Sequence, residues 1–179
     1  DFIKWINNSC SFCNSLVDRI VTGFPKDSIK SIQQELGTDD NMVVVGEYYH
    51  LWAIEGDERT KAKLPFVDAG LNVLWLDELK TFRDKKVRVL NGAHTALVPV
   101  GLLSGYETVK QAFANKTISN YIYQLIGKEV LPNIKGSADE LKKFADEILE
   151  RFLNPYIKHY LKDISLNSIS KWVTRDLPS

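Results

Sequence analysis

The sequence predicts a mainly α-helical fold with a small β-sheet. Three observations carry this. Apolar side chains recur at helical spacing through most of the second half. Caps and breakers punctuate that half at helix-length intervals. β-Branched and aromatic residues gather instead between Met42 and Leu76, as strands require.

Taken in order, Phe2-Ile3-Lys4-Trp5-Ile6 reads as helix, so the chain starts as a fragment or an excised domain would. Ser11 to Ile20 holds a short apolar stretch. Pro25 and Asp27 open a helix over Ser28 to Leu36, which Gly37 can end in a left-handed conformation. Met42 to Val45, Tyr48 to Ile54 and Asn72 to Leu76 read as strands, with a turn at Gly56 and Asp57. From about Thr81 the pattern is helical. Lys85 to Leu97 is one helix with Gly92 inside it and Pro99 near its end, and Tyr106 to Phe113 is another. Thr117 can cap a helix to Leu131, stopped by Pro132. Ser137 and Glu140 form a capping-box pattern ahead of a stripe of Leu141, Phe144, Ala145, Ile148, Leu149 and Phe152. Asn154, with Pro155 behind it, reads as the cap of a last helix running to about Lys171.

The 179 residues suit one domain with a substantial core, read here as 1–179. Hydrophobic residues make 44% and charged residues 26%, and 23 basic side chains balance 23 acidic ones. That balance gives no electrostatic case for nucleic acid or an anionic membrane. No apolar run approaches the roughly 20 residues that span a bilayer, and no signal-peptide pattern opens the chain. Cys10 and Cys13 form a single C-x-x-C without a second pair or a neighbouring His, so no metal site is expected. They read as reduced, partly buried thiols of a cytoplasmic protein. No G-x-G-x-x-G or G-x-x-x-x-G-K turn occurs, so the chain shows no nucleotide fingerprint.

The chemistry concentrates in Lys86-Val-Arg-Val-Leu-Asn91-Gly-Ala-His94. On a helix Asn91 and His94 share a face, and Lys86 lies on roughly the same side. Their neighbours Val87, Val89, Leu90, Ala93, Ala96, Leu97 and Val98 are apolar. Each polar group buried there without a partner would cost about 1–3 kcal/mol. Such a set can also be hydrogen-bonded core, and spacing alone leaves both readings open. A lysine starts from a pKa of about 10.4 and loses its proton more readily beside other cations; Arg83, Lys85 and Arg88 stand near. Lys86 so tuned can exchange a proton with an alcohol or carbonyl oxygen, Asn91 can donate to a developing oxyanion, and His94 can bond that oxygen or an adjacent hydroxyl. A hydrolase using His94 lacks a positioned Ser or Cys nucleophile.

Lys-x4-Asn-x2-His resembles the catalytic motif of the long-chain mannitol dehydrogenase family. Asn14-Ser-Leu-Val-Asp18-Arg19-Ile20-Val resembles another segment of that family, and Phe12-Cys-Asn-Ser-Leu-Val-Asp-Arg-Ile-Val-Thr-Gly-Phe-Pro25, Leu90-Asn-Gly-Ala-His-Thr-Ala-Leu-Val-Pro-Val100 and Arg151-Phe-Leu-Asn-Pro-Tyr-Ile-Lys-His159 resemble its sugar-acid branch. The resemblance covers essentially the whole chain. It implies the C-terminal helical domain of the mannitol dehydrogenase and 6-phosphogluconate dehydrogenase type, working with an N-terminal Rossmann domain absent from this chain. It implies NAD, bound chiefly by that domain, no metal, and interconversion of D-altronate and D-tagaturonate, with fructuronate or mannitol as alternative substrates. The isolated chain is then expected to be inactive, and a non-catalytic helical binding module is the reading from another class. By the same resemblance Lys86 is the general acid/base, Asn91 one of an oxyanion-stabilising pair and His94 the substrate contact. Asp18 and Lys171 line the substrate site. Arg151 and His159 are further substrate-binding candidates, and Arg19, Lys158 and Arg175 join Arg151 and Lys171 as possible carboxylate partners. Asp163 stands where the polyol enzymes carry an Arg.

Overall fold

The computed structural model describes residues 1–176, which divide into two compact units: 1–19 with 48–83, and 20–47 with 84 onward. The chain is mainly helical with small sheets, as expected.

The first unit begins with α1 (Phe2–Ser9) and is built on a three-stranded sheet. Strand β1 (Ser15–Asp18) runs antiparallel to β4 (Leu51–Glu55), which runs parallel to β5 (Val73–Leu76). A parallel pair needs a crossover, and it contains α3 (Glu58–Lys63). The sequence reading has only a turn there. The helix forms because Asp57 caps it, its carboxylate accepting from the Thr60 amide at 2.8 Å and hydroxyl at 2.7 Å. Ala53 and Ile54 are buried in the sheet. Cys10 and Cys13 are free but exposed, a correction to the expected partial burial.

The second unit holds the main core. Strands β2 (Val21–Gly23) and β3 (Val45–Gly46) pair antiparallel, with α2 (Ile29–Leu36) between them in sequence. Gly37 ends α2 at φ 69°, the left-handed cap expected. The strand expected from Met42 shrinks to Val45–Gly46, since Met42 to Val44 have no ladder partner and Met42 is exposed.

Helix α4 (Leu79–Lys86), a π-helical segment (Val87–Gly92) and α5 (Ala93–Leu103) form one unbroken helical run. Pro99 does not end it. Seven buried residues of α5 pack tightly enough to carry the run four residues past the proline. Then follow α6 (Val109–Ala114), α7 (Lys116–Leu125) with a second π segment (Ile126–Val130), and α8 (Ala138–Arg151). Asn115 rather than Thr117 caps α7, because its Oδ1 reaches the amides of Thr117 and Ile118. Ser137 caps α8 by accepting from the Glu140 amide, as its spacing predicts.

The largest departure lies beyond Asn154. Its side chain accepts from the Tyr156 amide at 2.9 Å and makes a turn, not a helix. Residues 155–160 stay out of a helix, and tertiary pairing claims the backbone at their end: Val109 N donates to His159 O and Leu161 N to Glu107 O, both at 2.9 Å. Only α9 (Leu161–Ile164) and α10 (Ser168–Arg175) are helical there.

Leu97, Ile122, Ile126, Ile148, Leu149 and Leu161 are fully buried in the resulting core. Gly101 marks its tightest crossing: a β-carbon there would meet Leu161 Cδ1 at 2.7 Å and Ala112 Cβ at 3.1 Å. Gly101→Val should therefore destabilise the protein by about 1–3 kcal/mol. A urea denaturation midpoint equal to wild type would show that α5, α6 and α9 are not so closely packed.

Candidate functional site

The Lys86–His94 motif coincides with the π segment. In a π-helix the amide bonds five residues back rather than four, so the turn is wider and the ladder changes register on returning to α. Leu90 O and Val89 O accept from the Ala93 amide there, and carbonyls of the segment also take side-chain donors. Two side chains supply donors. His94 Nδ1 lies 2.9 Å from Leu90 O, and Thr95 Oγ1 donates to Asn91 O at 2.8 Å.

The first bond fixes the imidazole. A carbonyl only accepts, so Nδ1 carries the proton and Nε2 of the neutral ring is a bare acceptor. His94 is 5% exposed, and Nε2 is buried without a partner. Burial holds His94 well below the ordinary histidine range; His159, Arg151 and Lys86 push the same way against the Leu90 bond. Its ring packs on Phe152, centroids 4.1 Å apart, and meets His159 edge-on at 4.8 Å. Asn91 Oδ1 is likewise buried and unpartnered.

Beneath this lies a buried ion pair. Glu47 is 2% exposed and receives two guanidinium bonds from Arg151: Nη2 to Oε1 at 2.6 Å and Nε to Oε2 at 3.2 Å. The Ile20 amide also donates to Glu47 Oε1 at 2.6 Å. The guanidinium of Arg151, a substrate-binding candidate in the sequence, is thus committed to Glu47 while its charge still acts on His94.

The structure brings Lys86, Asn91, His94, His159 and Arg151 together in the second unit. Burial lowers His159, opposed by the charges of Asp163 and Glu47. Lys171, on α10, donates to Ile164 O at 2.7 Å. Asp18 is buried at the end of β1, in the other unit. Lys158 is exposed on Asp27 at 2.9 Å. Lys85 lies over the Phe144 ring, 4.3 Å from its centroid, and Arg88 donates to Asn133 O at 3.2 Å. Sequence reasoning missed Glu47, Thr95 and Asp176. Glu47 is 104 residues from its partner, so no local pattern announces it. Asp176 follows a helix whose docking on the π segment only the fold shows.

Residues 78–179 match the family model of the mannitol dehydrogenase C-terminal domain. The chain belongs to the mannitol dehydrogenase family. Residues 1–67 of this family member match the mannitol dehydrogenase Rossmann domain, so the family boundary falls inside a chain that the sequence reading treats as one C-terminal domain. The chain is 51% identical over 178 residues to the altronate oxidoreductase of Bacillus subtilis (strain 168), and 42% identical over 178 residues to that of Phocaeicola vulgatus. Each alignment covers 99% of this chain and 37% of the relative, so the chain spans little more than a third of their length. Among solved structures, a substrate-free D-sorbitol dehydrogenase superposes with TM-score 0.76 at 28% identity, over 94% of this chain and 34% of that one. Pseudomonas fluorescens mannitol 2-dehydrogenase, solved with NAD and D-mannitol, shares the fold at TM-score 0.72 and 23% identity, over 96% of this chain and 37% of that one.

Two outcomes follow from the geometry. His94 stays neutral in the fold but takes a proton near pH 6.5 once unfolded, so the unfolded state binds more protons below that value. Its contribution to stability is complete above about pH 6.5 and is lost as pH falls toward the lowered folded value. The acid destabilisation measured between pH 7 and 5 should shrink in His94→Phe; an unchanged slope would exclude His94 as its source. Arg151→Ala strands the Glu47 carboxylate in the core and should cost about 3–5 kcal/mol, read by urea denaturation. Near-wild-type stability would free Arg151 for a role other than holding Glu47.

Proposed function

We infer that the protein carrying this chain is an NAD-dependent oxidoreductase that interconverts D-tagaturonate and D-altronate, with Lys86 as its general acid/base. One observation carries the reading. Asn91 Oδ1 and His94 Nε2 are buried acceptors without partners, three residues apart beside Lys86. Unsatisfied acceptors cost about 1–3 kcal/mol each, and a polyhydroxylated ligand brings the O–H donors that satisfy them. Similarity to two altronate oxidoreductases favours a hexuronate over a neutral polyol.

The roles follow from the donor sets. As hydride reaches the carbonyl carbon, the C=O electron pair moves to oxygen. The Lys86 ammonium gives that oxygen a proton, and the Asn91 amide N–H donates to it. Neutral His94 accepts from a neighbouring hydroxyl through Nε2, which orients the sugar without adding charge. In the oxidising direction uncharged Lys86 takes the hydroxyl proton. Lys171 and His159 are proposed as further substrate-binding residues, and Asp18 is proposed as one on the family resemblance alone.

NAD, when bound, supplies or receives the hydride. The described residues do not fit its pyrophosphate. The parallel crossover between β4 and β5 enters α3 through Asp57 and Glu58, an acidic start that repels phosphate where dinucleotide folds present a glycine-rich turn. The nucleotide is therefore assigned chiefly to parts of the Rossmann domain other than the segment matched by residues 1–67. Two free, exposed thiols suit a reducing compartment, and the cytoplasm is the proposed location.

In the full-length protein, Lys86→Ala should lower kcat by about 10²–10⁴-fold with an unchanged melting temperature. NADH-linked assays on D-tagaturonate, D-fructuronate and D-fructose identify the substrate. Near-normal turnover by Lys86→Ala removes Lys86 from its role, and turnover of D-fructose alone overturns the hexuronate assignment.

A further inference from the structure

Helix α10 packs against both the π segment and α5. It brings two cations, Lys171 and Arg175, one turn apart onto the unit that holds the two orphan acceptors. Burial lowers both below their ordinary values, and the charge of Arg175 lowers Lys171 further. Gathering two partly buried like charges is unfavourable unless an anion joins them.

The bonding of Arg175 ties it to the motif. Its Nη1 donates to Thr95 Oγ1 at 3.3 Å, and that hydroxyl donates to Asn91 O at 2.8 Å. A guanidinium has five N–H donors in a rigid fork matched to a carboxylate. Among the described residues no carboxylate lies within ion-pair distance of Arg175. The carboxyl of the adjacent Asp176 turns to the helical run instead, where a β-carbon at Gly92 would lie 3.0 Å from Oδ1. Its Oδ2 is buried without a partner, and burial pushes the group up to about 7. The charges of Arg175 and Asp176 act on each other, lowering Asp176 and raising Arg175, but the two form no direct ion pair.

Three of the other basic candidates are engaged elsewhere. Arg151 holds Glu47, Lys158 sits in solvent on Asp27, and the Lys171 ammonium bonds Ile164 O.

We propose that Arg175 is the specificity-determining residue that binds the substrate carboxylate, held by Thr95 beside the hydroxyl acceptors of Asn91 and His94. This rests on the hexuronate reading above. It makes α10, rather than the Arg151–His159 segment, the part of the chain that separates sugar acids from neutral sugars.

The test uses the full-length enzyme and steady-state kinetics on D-tagaturonate. Arg175→Gln should raise KM by about 10- to 100-fold, the loss of a charge-assisted contact, with kcat within about threefold of wild type. Arg175→Lys should recover part of the KM loss, because it restores the charge without the fork. An unchanged KM overturns the proposal. So does a fall in kcat at constant KM, or a lysine variant no better than glutamine, each of which marks a merely structural contact. The wild-type control separates the two readings: an enzyme that turns over D-fructose but no hexuronate fails at the substrate assignment, before Arg175 is tested.

Discussion

Where the helical ladder changes register between Lys86 and Ala93, carbonyls take donors from side chains. Leu90 O takes the Nδ1–H of His94, and Asn91 O takes the hydroxyl of Thr95. Everything distinctive about the site depends on that exchange. The Leu90 bond fixes the histidine tautomer, and the tautomer leaves Nε2 an acceptor. Burial against Phe152 and His159 keeps it neutral.

The wide turn needs support, because helix bonds in a single long run cannot hold a π segment alone. Helix α10 and helix α8 both pack on it. At the end of α8, Arg151 reaches across to Glu47, and Phe152 reaches the face of His94. One helix end thus supplies both the clamp on a buried carboxylate and the wall of the histidine pocket. A buried ion pair is weak evidence of net stability but strong evidence of registry. It ties the strand-side segment ending at Glu47 to α8, and so fixes where Phe152 and His159 meet the imidazole.

The helical class was legible in the sequence because it rests on local spacing; Lys86, Asn91 and His94 stood out through the family motif, since spacing alone leaves a hydrogen-bonded core reading open. The α8 stripe and the Gly37 cap also read directly from local spacing. What was not legible depends on partners far along the chain. Asn154-Pro155 has the signature of a helix start, yet residues 155–160 are not helical, and Glu107 and Val109 claim the backbone at His159 and Leu161. Pro99 has the signature of a helix end, yet the buried faces on either side of it outweigh the lost bond. The π register was hidden too, since no residue type marks it. Arg151 was read as a substrate contact from its place in a family block, where the structure shows a guanidinium already occupied by Glu47.

These features also decide how charge is arranged in the site. The groups immediately around His94 are cationic or neutral: Lys86, Arg151 and His159 all disfavour a second positive charge on its ring. Under the proposed function, Lys86 moves the proton while the imidazole only accepts. A His94 that could also protonate would set two competing acids against one oxygen. One acid and two acceptors would keep those roles apart, so that a bound sugar would meet the same neutral acceptors in both directions of the reaction.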